Sequence, residues 1–342
     1  MIRQSLYFTA PRQISIREEN LLDPANDQVL VQTMLSAISP GSEMLIYRGH
    51  FPGDLTIDDT IPALQGAFAY PIKYGYSAIG QVIACGARVD TSWLGKYVFS
   101  FQPHQTHFLA KLEELSALPE GMPPEEAVFL PNMETAVNFL MDGTPVIGEG
   151  VAVFGQGIVG LLTVALLAKF PLSYLVTFDQ FPRRRQASLD LGANESLDPA
   201  ITASIEQTRA RFHIPGPYAG ADLVYELSGA PSALAQAIAL AGFGGRVVVG
   251  SWYGDKRVEL DLGGRFHRAR LRLISSQVSS IPPELSARWS KSRRMQVAWE
   301  SLAQIKPARF ITQRVEFPQA VQAYRLLEEN PEETIQVIFT YS

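Results

Sequence analysis

The chain has 342 residues, of which 46% are hydrophobic and 18% charged, a composition typical of a folded protein whose length favours two domains over one core. A formal net charge of -5 disfavours nucleic acid and anionic membranes as partners. The single cysteine, Cys85, excludes an intrachain disulfide and any structural zinc site built from several thiolates.

The first segment, to about residue 110, contains short β-like runs separated by proline, glycine and aspartate, which predicts an irregular β-domain. The runs are ISIREE, QVLVQTML, SAIGQVIACG and KYVFSFQ. From about residue 150, strands alternate with helices, which predicts a parallel sheet with right-handed crossovers. RLRLISSQV predicts one more strand, and the tail from about Ser279 has the mixed character of the first segment, so we expect it to rejoin that domain.

No segment has the pattern of a targeting signal or a membrane span. The N-terminal residues lack an apolar region followed by small residues. The most apolar stretch, residues 151–168, is interrupted by Gln156 and three glycines, and is interpreted as a buried strand followed by a helix. We expect a cytoplasmic protein that binds neither membrane nor nucleic acid.

A glycine motif directly follows the apolar strand VAVF and opens the apolar helix LLTVALLAKF. The residues that match G-x-G-x-x-G are Gly155, Gln156, Gly157, Ile158, Val159 and Gly160. In such a motif the first glycine makes a tight turn, the second lets a pyrophosphate approach the backbone, and the third allows close packing of helix on strand. The position between strand and helix predicts a dinucleotide site rather than an ordinary turn.

The next strand ends in Asp179, where a carboxylate is expected to accept hydrogen bonds from the adenosine ribose. This carboxylate would repel a 2′-phosphate, so NAD(H) is favoured over NADP(H), although Arg183, Arg184 and Arg185 lie close by. We expect one arginine, assigned as Arg184, to stack on adenine. Three residues after later strands complete the predicted cofactor site: Ser228, Gly250 and Ser251.

The order of these motifs resembles the medium-chain dehydrogenase/reductase superfamily, and the resemblance covers essentially the whole chain. It depends on PGSEMLIYRG, PIKYGYSAIGQVIACG, GQGIVG with Asp179, LGA and GGRVVVG. It implies an α/β protein in which a GroES-like, β-rich catalytic domain (residues 1–131 and 277–342) is joined to a Rossmann domain with a doubly wound parallel sheet (residues 132–276). The variants S-x-I-S-P-G-x-E and G-Y-S are locally similar to the branch that includes bacteriochlorophyllide dehydrogenase.

The same resemblance predicts that the catalytic zinc is absent. Zinc alcohol dehydrogenases carry C-G-S-D-x-H-x-Y-x-G where this chain has Pro40 in place of the cysteine ligand, and G-H-E-x-x-G where it has Tyr76 and Ser77. The third ligand region, near residues 130–132, offers no Cys, His or Glu in register, although Glu134 is close. His104 and His107 remain as metal candidates, but their spacing on an extended segment directs the rings to opposite faces.

Without zinc, a side chain or solvent must provide the proton at the substrate oxygen. The leading candidate is Tyr76, which the resemblance assigns to the cleft, and the alternative is that this ring only fills the volume of the missing metal. Ser42 matches the proton-relay hydroxyl of zinc relatives, and Ser39 and Ser77 are expected nearby. Two further candidates are Glu43, expected to orient a neighbour, and His104, a potential acid or base.

The sequence therefore predicts a zinc-independent, NAD(P)-dependent oxidoreductase acting on an alcohol, aldehyde or ketone. One alternative is an enoyl or quinone reductase of the same superfamily, and another is an inactive cofactor-binding sensor or structural protein. The cation-rich segments RFHRARLR and RWSKSRR are either solvated faces or, for the first, a contact for an anionic substrate. The strand LRLISS matches the edge that zinc relatives pair across a two-fold axis, so a homodimer is expected.

Overall fold

The computed structural model describes residues 1–53, 55–58, 60–212 and 216–341, with the backbone alone at residues 202–204. The chain forms two compact units. Unit 1 comprises residues 1–131 and 306–342, and unit 2 comprises residues 132–305.

The elements are introduced here in chain order. The first segment of unit 1 contains β1 (Ile2–Ala10), β2 (Gln13–Asn20), β3 (Gln28–Ala37), α1 (Pro40–Arg48), β4 (Ala78–Cys85), β5 (Tyr97–Ser100), β6 (His107–Lys111), β7 (Leu115–Ala117) and α2 (Pro124–Ala127). Next come α3 (Leu130–Gly143), β8 (Gly150–Phe154), α4 (Ile158–Leu167), β9 (Tyr174–Phe178), α5 (Pro182–Asp190), β10 (Glu195–Leu197), α6 (Thr202–Arg209), β11 (Ala221–Glu226), α7 (Pro231–Leu240), β12 (Ala241–Val249), β13 (Arg272–Ser275) and α8 (Lys291–Ile305). The chain then returns to unit 1 with β14 (Ile311–Glu316), α9 (Ala320–Glu329) and β15 (Gln336–Thr340).

Unit 1 is the β-rich part of the molecule. Among the described residues its main sheet has the order β14-β15-β3-β4-β5-β7, with β6 also paired to β3, and β1 and β2 form a separate hairpin. All pairs in the main sheet are antiparallel except β14 with β15. The core packs β1 and β15 against α1 and α9, with the Tyr324 ring edge-on to Phe8 at 5.2 Å between ring centroids.

Unit 2 is built on a parallel sheet, whose described strands have the order β10-β9-β8-β11-β12-β13. Every residue of β8 is buried, as expected for a central strand covered on both faces. Nearly all of α4 is buried, which explains its uniformly apolar sequence. The strand order reverses at β8, and in open α/β sheets the ligand crevice lies at the carboxyl ends of the strands at such a point.

The sequence analysis placed the return to the first domain at residue 277, whereas the two units divide between Ile305 and Lys306. The difference is explained by Arg294 of α8, whose buried guanidinium bonds two side chains of α3. Arg294 Nη2 lies 2.8 Å from Glu134 Oε1, and Arg294 Nη1 lies 2.6 Å from Asn138 Oδ1. These buried polar contacts attach α8 to unit 2.

Among the helices of the described chain, none is both long and apolar enough to cross a membrane.

Candidate active site

The glycine motif forms the turn between β8 and α4. Gly155 has φ +88, and a Cβ there would lie 2.6 Å from the Ser228 backbone. A Cβ on Gly160 would lie 1.9 Å from the Gly155 carbonyl oxygen. Glycine is therefore required at both positions by the backbone itself.

Gly157 differs from the other two glycines, because a Cβ there would meet no described atom within 4 Å. It precedes the first residue of α4, at the end of the helix that attracts anions. Next to it, the side chain of Gln156 is buried and its Oε1 has no hydrogen-bond partner in the described part of the chain. Open space at the N-terminus of α4 fits a turn that an anionic ligand approaches.

Asp179 directly follows β9 and is tied to the glycine turn. Its Oδ2 accepts a hydrogen bond from the Gln156 backbone nitrogen at 2.7 Å, and its Oδ1 accepts from the Phe181 backbone nitrogen at 2.8 Å. Each oxygen keeps a second lone pair, so these bonds orient the carboxylate without saturating it. The Arg184 guanidinium lies 4.7 Å from the centre of the Phe181 ring, and burial lowers the pKa of Arg184.

Ser228, Gly250 and Ser251 follow the carboxyl ends of β11 and β12. Ser251 Oγ accepts a hydrogen bond from the Gly229 backbone nitrogen at 2.8 Å. The Ser228 hydroxyl donates to the carboxylate of Glu226, which is fully buried at the end of β11. Tyr253 donates to the other oxygen of this carboxylate.

The sequence analysis missed Glu226 and Tyr253. The signal was present, because Glu226 is an acidic residue at the end of an apolar parallel strand, the same position that identified Asp179.

In unit 1, several hydroxyl groups meet at Tyr76. Its Oη lies 3.0 Å from Ser42 Oγ and also forms a hydrogen bond with Ser39 Oγ. The Tyr74 ring meets that of Tyr76 edge-on, with 5.9 Å between the ring centroids. Burial, reinforced by the charge of Glu43, raises the pKa of Tyr76. The phenol is therefore protonated at neutral pH and able to donate.

The two serines are presented by the start of α1. Ser39 precedes the helix, and Pro40 occupies its first turn, where a missing N–H costs no hydrogen bond. The backbone nitrogen of Ser42 donates to the Ser39 carbonyl. Pro40 thus has a structural role at the start of the helix that positions Ser39 and Ser42.

Ser77, predicted to join this cluster, does not. Its side chain is buried and its hydroxyl donates to the backbone carbonyl of Val128. Glu134, the remaining carboxylate near the third ligand region, is paired with Arg294. Among the described residues no group of three or more His, Cys, Asp or Glu side chains is arranged to hold a metal ion.

The two histidines of QPHQTHF lie in different surroundings. His104 is fully buried, with Nε2 3.0 Å from Glu43 Oε2 and Nδ1 2.7 Å from Ser36 Oγ. Both ring nitrogens are engaged, so the expected role as an acid or base acting directly on substrate is not supported by this geometry. His107 lies on β6, where its Nδ1 is 3.1 Å from Thr106 Oγ1.

The partners of Glu43 and His104 were not found by the sequence analysis. Ser36 on β3 bonds His104, and Tyr324 on α9 bonds Glu43. Tyr341, which follows β15, in turn bonds Ser36. No motif connects residues so far apart in the chain, and only the pairing of β3 with β15 and the packing of α9 bring them together.

Comparisons with known proteins agree with this architecture. A family model described as zinc-binding dehydrogenase matches residues 159–294. D-guloside 3-dehydrogenase of Escherichia coli (strain K12) is 23% identical over 353 residues, which cover 99% of this chain and 100% of the relative.

Solved structures share the fold. An alcohol dehydrogenase (rspB) from E. coli CFT073, complexed with NADH, superimposes with a TM-score of 0.78 at 20% identity, covering 99% of each chain. A dehydrogenase from Sinorhizobium meliloti 1021 bound to NADP has a TM-score of 0.76 at 19% identity, again covering 99% of each chain.

Proposed function

We propose that this chain is an NAD(P)-dependent oxidoreductase of the medium-chain dehydrogenase/reductase superfamily, and that it oxidises an alcohol or reduces an aldehyde or ketone without zinc. The observation that carries the proposal is the hydroxyl cluster of Tyr76, Ser39 and Ser42. The resemblance to zinc relatives assigns Tyr76 to the position of a histidine ligand.

The donor set supports a reaction without zinc. Catalytic zinc requires three protein ligands from imidazole, thiolate or carboxylate. At the positions that the resemblance assigns to the first two ligands, this chain has Pro40 in the first turn of α1 and the phenol of Tyr76. The third ligand region offers no ligand in register, and the nearby Glu134 is held by Arg294. The family model named for zinc matches residues 159–294, a segment that contains neither Pro40 nor Tyr76.

The cofactor residues fit a dinucleotide. We assign the pyrophosphate to the backbone of residues 155–160, the adenosine ribose to Asp179, and contacts with the remainder to Ser228, Gly250 and Ser251. Bound nicotinamide supplies or accepts the hydride. The orientation of Asp179 towards the turn, by its bond from the Gln156 backbone nitrogen, supports NAD(H) as the preferred form.

In the direction of reduction, Tyr76 donates its phenolic proton to the substrate oxygen as that oxygen gains negative charge. Ser39 and Ser42 then donate hydrogen bonds to the phenolate, and solvent restores the proton. In the direction of oxidation, Tyr76 first releases its proton to solvent, and its phenolate, hydrogen-bonded by Ser39 and Ser42, then accepts the proton of the substrate hydroxyl. Such positioned proton transfer contributes about 100-fold to 10,000-fold in rate.

A secondary hydroxyl group of a polar substrate is the first class to test, since a relative over the full length is named as a dehydrogenase of D-guloside. We further propose a homodimer through β13, the last strand of the described parallel sheet, where the Leu273 side chain is 42% exposed. Sedimentation of the purified protein at twice the chain mass of 37.7 kDa is the expected result.

The experiment has two parts. Purified protein is assayed at 340 nm with NADH or NAD⁺ against sugars, secondary alcohols, aldehydes and ketones, with enones and quinones as a second panel. Its zinc content is measured by mass spectrometry. We expect turnover with the first panel at a zinc content well below one ion per chain. Turnover confined to the second panel indicates an enoyl or quinone reductase, and NADH binding without any turnover indicates an inactive binding protein.

Tyr76→Phe tests the proton donor. We expect kcat to fall about 100-fold or more, with NADH affinity unchanged. Tyr97→Phe is the matched control, because Tyr97 is 45% exposed on β5 and takes no part in the cluster. Normal turnover in Tyr76→Phe, or one zinc per chain that is needed for activity, would contradict the proposal.

A further inference from the structure

Behind the hydroxyl cluster lies a carboxylate that is completely buried. Glu43 Oε1 accepts a hydrogen bond from the Ser39 backbone nitrogen at 2.7 Å. Its Oε2 accepts from Tyr324 Oη and lies 3.0 Å from His104 Nε2. No ion pair between described side chains joins Glu43 to a lysine or arginine. A buried charge held by these donors alone is costly and therefore indicates a role beyond packing.

Both ring nitrogens of His104 have a hydrogen-bond partner, Glu43 on one side and Ser36 on the other. Ser36 Oγ lies 2.7 Å from His104 Nδ1 and 2.7 Å from Tyr341 Oη. A neutral His104 protonated on Nε2 satisfies every bond in this series: Tyr341 donates to Ser36, Ser36 to His104, and His104 to Glu43.

The backbone at Gly75 makes room for this ring. Gly75 has φ +116, and a Cβ there would lie 2.8 Å from His104 Nε2. Gly75 immediately precedes Tyr76, so the same short segment both admits His104 and presents the phenol.

Ser39 connects the buried pair to Tyr76. Its backbone nitrogen bonds Glu43, its carbonyl accepts from the Glu43 backbone nitrogen at 2.9 Å, and its hydroxyl bonds Tyr76 Oη. The Glu43 carboxylate thus holds the backbone nitrogen of Ser39, the residue whose side chain touches the phenol, while the Glu43 backbone nitrogen holds the Ser39 carbonyl.

We propose that Glu43 and His104 are positioning residues: their buried pair holds Ser39 in the one orientation that places its hydroxyl on Tyr76. This inference rests on the proposed role of Tyr76 as proton donor. His104 aligns Glu43, Glu43 aligns Ser39, and Ser39 aligns the phenol, so neither Glu43 nor His104 touches the substrate.

Glu43→Gln is the principal variant, because it keeps the side-chain volume and removes the charge. In Glu43 one carboxylate oxygen accepts from Ser39 and the other from His104 and Tyr324, whereas glutamine has a single acceptor oxygen. Glu43→Gln therefore loses the hydrogen bonds on one side, and with them part of the alignment of Ser39. Tyr324→Phe is a milder variant, which removes one donor and keeps the ring packed against Phe8. Glu19→Gln is the matched control, since Glu19 is another multiply bonded carboxylate of unit 1 that lies on the β1–β2 hairpin.

The first measurement needs no substrate. In protein labelled with ¹³Cζ-tyrosine, the Tyr76 resonance is assigned by its loss in Tyr76→Phe. We expect this resonance to move in Glu43→Gln, to move less in Tyr324→Phe, and to stay in place in Glu19→Gln, where Tyr7 moves instead. A Tyr76 resonance that is the same in wild type, Glu43→Gln and Tyr324→Phe overturns the proposal.

The second measurement is the pH profile of kcat with the substrate found by the screen. The groups that face Tyr76 are Glu43, Asp58 and the phenol of Tyr74. Removing the negative charge of Glu43 lowers the pKa of Tyr76, so the basic limb of the kcat profile moves to lower pH. We expect kcat to fall about tenfold, Glu43→Asp to restore part of it, and NADH affinity to stay unchanged. A merely structural role would lower the melting temperature without moving the limb.

The experiments can contradict the donor role of Tyr76 and the positioning role of Glu43 independently of each other. Full turnover in Tyr76→Phe removes the proposed donor, while the resonance still reports whether Glu43 positions the phenol. Loss of turnover in Tyr76→Phe together with an unchanged pH profile in Glu43→Gln overturns the positioning role alone. If both hold, Glu43→Gln causes no further loss of kcat in the Tyr76→Phe background.

Discussion

The cofactor turn of unit 2 and the hydroxyl cluster of unit 1 are specified in different ways. At the turn, Gly155 and Gly160 are fixed by backbone contacts within six consecutive residues and one neighbouring strand. The hydroxyl cluster and the Glu43–His104 pair behind it are built from groups of β3, α1, the segment before β4, the segment before β6, and α9. A local motif tolerates little change and can be recognised in the sequence. A network assembled by tertiary packing is harder to recognise, and single substitutions in it remove only part of its hydrogen bonds.

The largest expected effect is that of Gly160→Ala, which tests the local half of this comparison. The added methyl group would lie 1.9 Å from the Gly155 carbonyl oxygen, so the turn and α4 must separate. We expect a loss of about 2–3 kcal/mol in the free energy of unfolding and no measurable NADH binding. Denaturant unfolding and fluorescence titration measure the two quantities.

Gly157→Ala is the control for this variant, because a Cβ there meets no described atom. We expect wild-type stability with NADH affinity reduced at least about tenfold, since the methyl group would occupy the approach of the pyrophosphate. Equal NADH affinity in Gly157→Ala and wild type would contradict the assignment of this turn to the cofactor.

An intermediate effect is expected for Asp179→Ala. The carboxylate disfavours a 2′-phosphate, so its removal is expected to shift the ratio of NADPH to NADH affinity towards NADPH by about tenfold. The bonds from the Gln156 and Phe181 backbone nitrogens are also lost, so affinity for both cofactors falls. Competition titrations with NADH and NADPH provide the ratio, and a shift towards NADH would show that Asp179 does not face the ribose.

The smallest effect concerns Glu19, whose carboxylate is the centre of a second hydrogen-bond network in unit 1. This network does not reach Tyr76. Partial burial disfavours its charge, but hydrogen bonds from Lys73, Tyr7 and Arg3 outweigh this and lower the pKa of Glu19 to about 2. The stabilisation is therefore complete above the unfolded-state value of about 4.5 and is lost as pH falls from there to about 2.

We expect this loss to be about 1 kcal/mol after allowance for solvent screening. Unfolding free energies of wild type and Glu19→Gln, measured from pH 7 to pH 2, should converge at the acid end. Parallel curves over this range would mean that the hairpin network does not stabilise the folded state through its charge.

The difference between the two regions also explains what could be predicted from the sequence. The glycine turn, Asp179 and the alternation of strands with helices follow from local pattern, and the predicted fold is confirmed by the solved structures. The motif containing Gly75, Tyr76 and Ser77 pointed to the cluster, but the sequence could not separate Tyr76, whose hydroxyl meets Ser39 and Ser42, from Ser77, whose hydroxyl is bonded to Val128. Adjacent residues face different surroundings, and only the tertiary structure decides between them.

Tyr324 and Tyr341 were beyond sequence reasoning for a related reason. Each is a tyrosine in an ordinary amphipathic or extended segment, and its hydroxyl acquires a partner only when α9 and the residues after β15 pack beside β3. The unit boundary at Ile305 escaped prediction in the same way, since it depends on the buried bonds of Arg294.

The pairing of β3 with β15 has a consequence for how the protein folds during synthesis. The two strands are neighbours in one sheet, yet the whole of unit 2 lies between them in the chain. Unit 2 therefore leaves the ribosome before the sheet of unit 1 is able to close. Until β15 is synthesised, residues 35–37 of β3 lack the strand that pairs with them. A nascent chain of this protein would acquire its nucleotide-binding fold before its proton-donating network, and would be most exposed to aggregation in that interval.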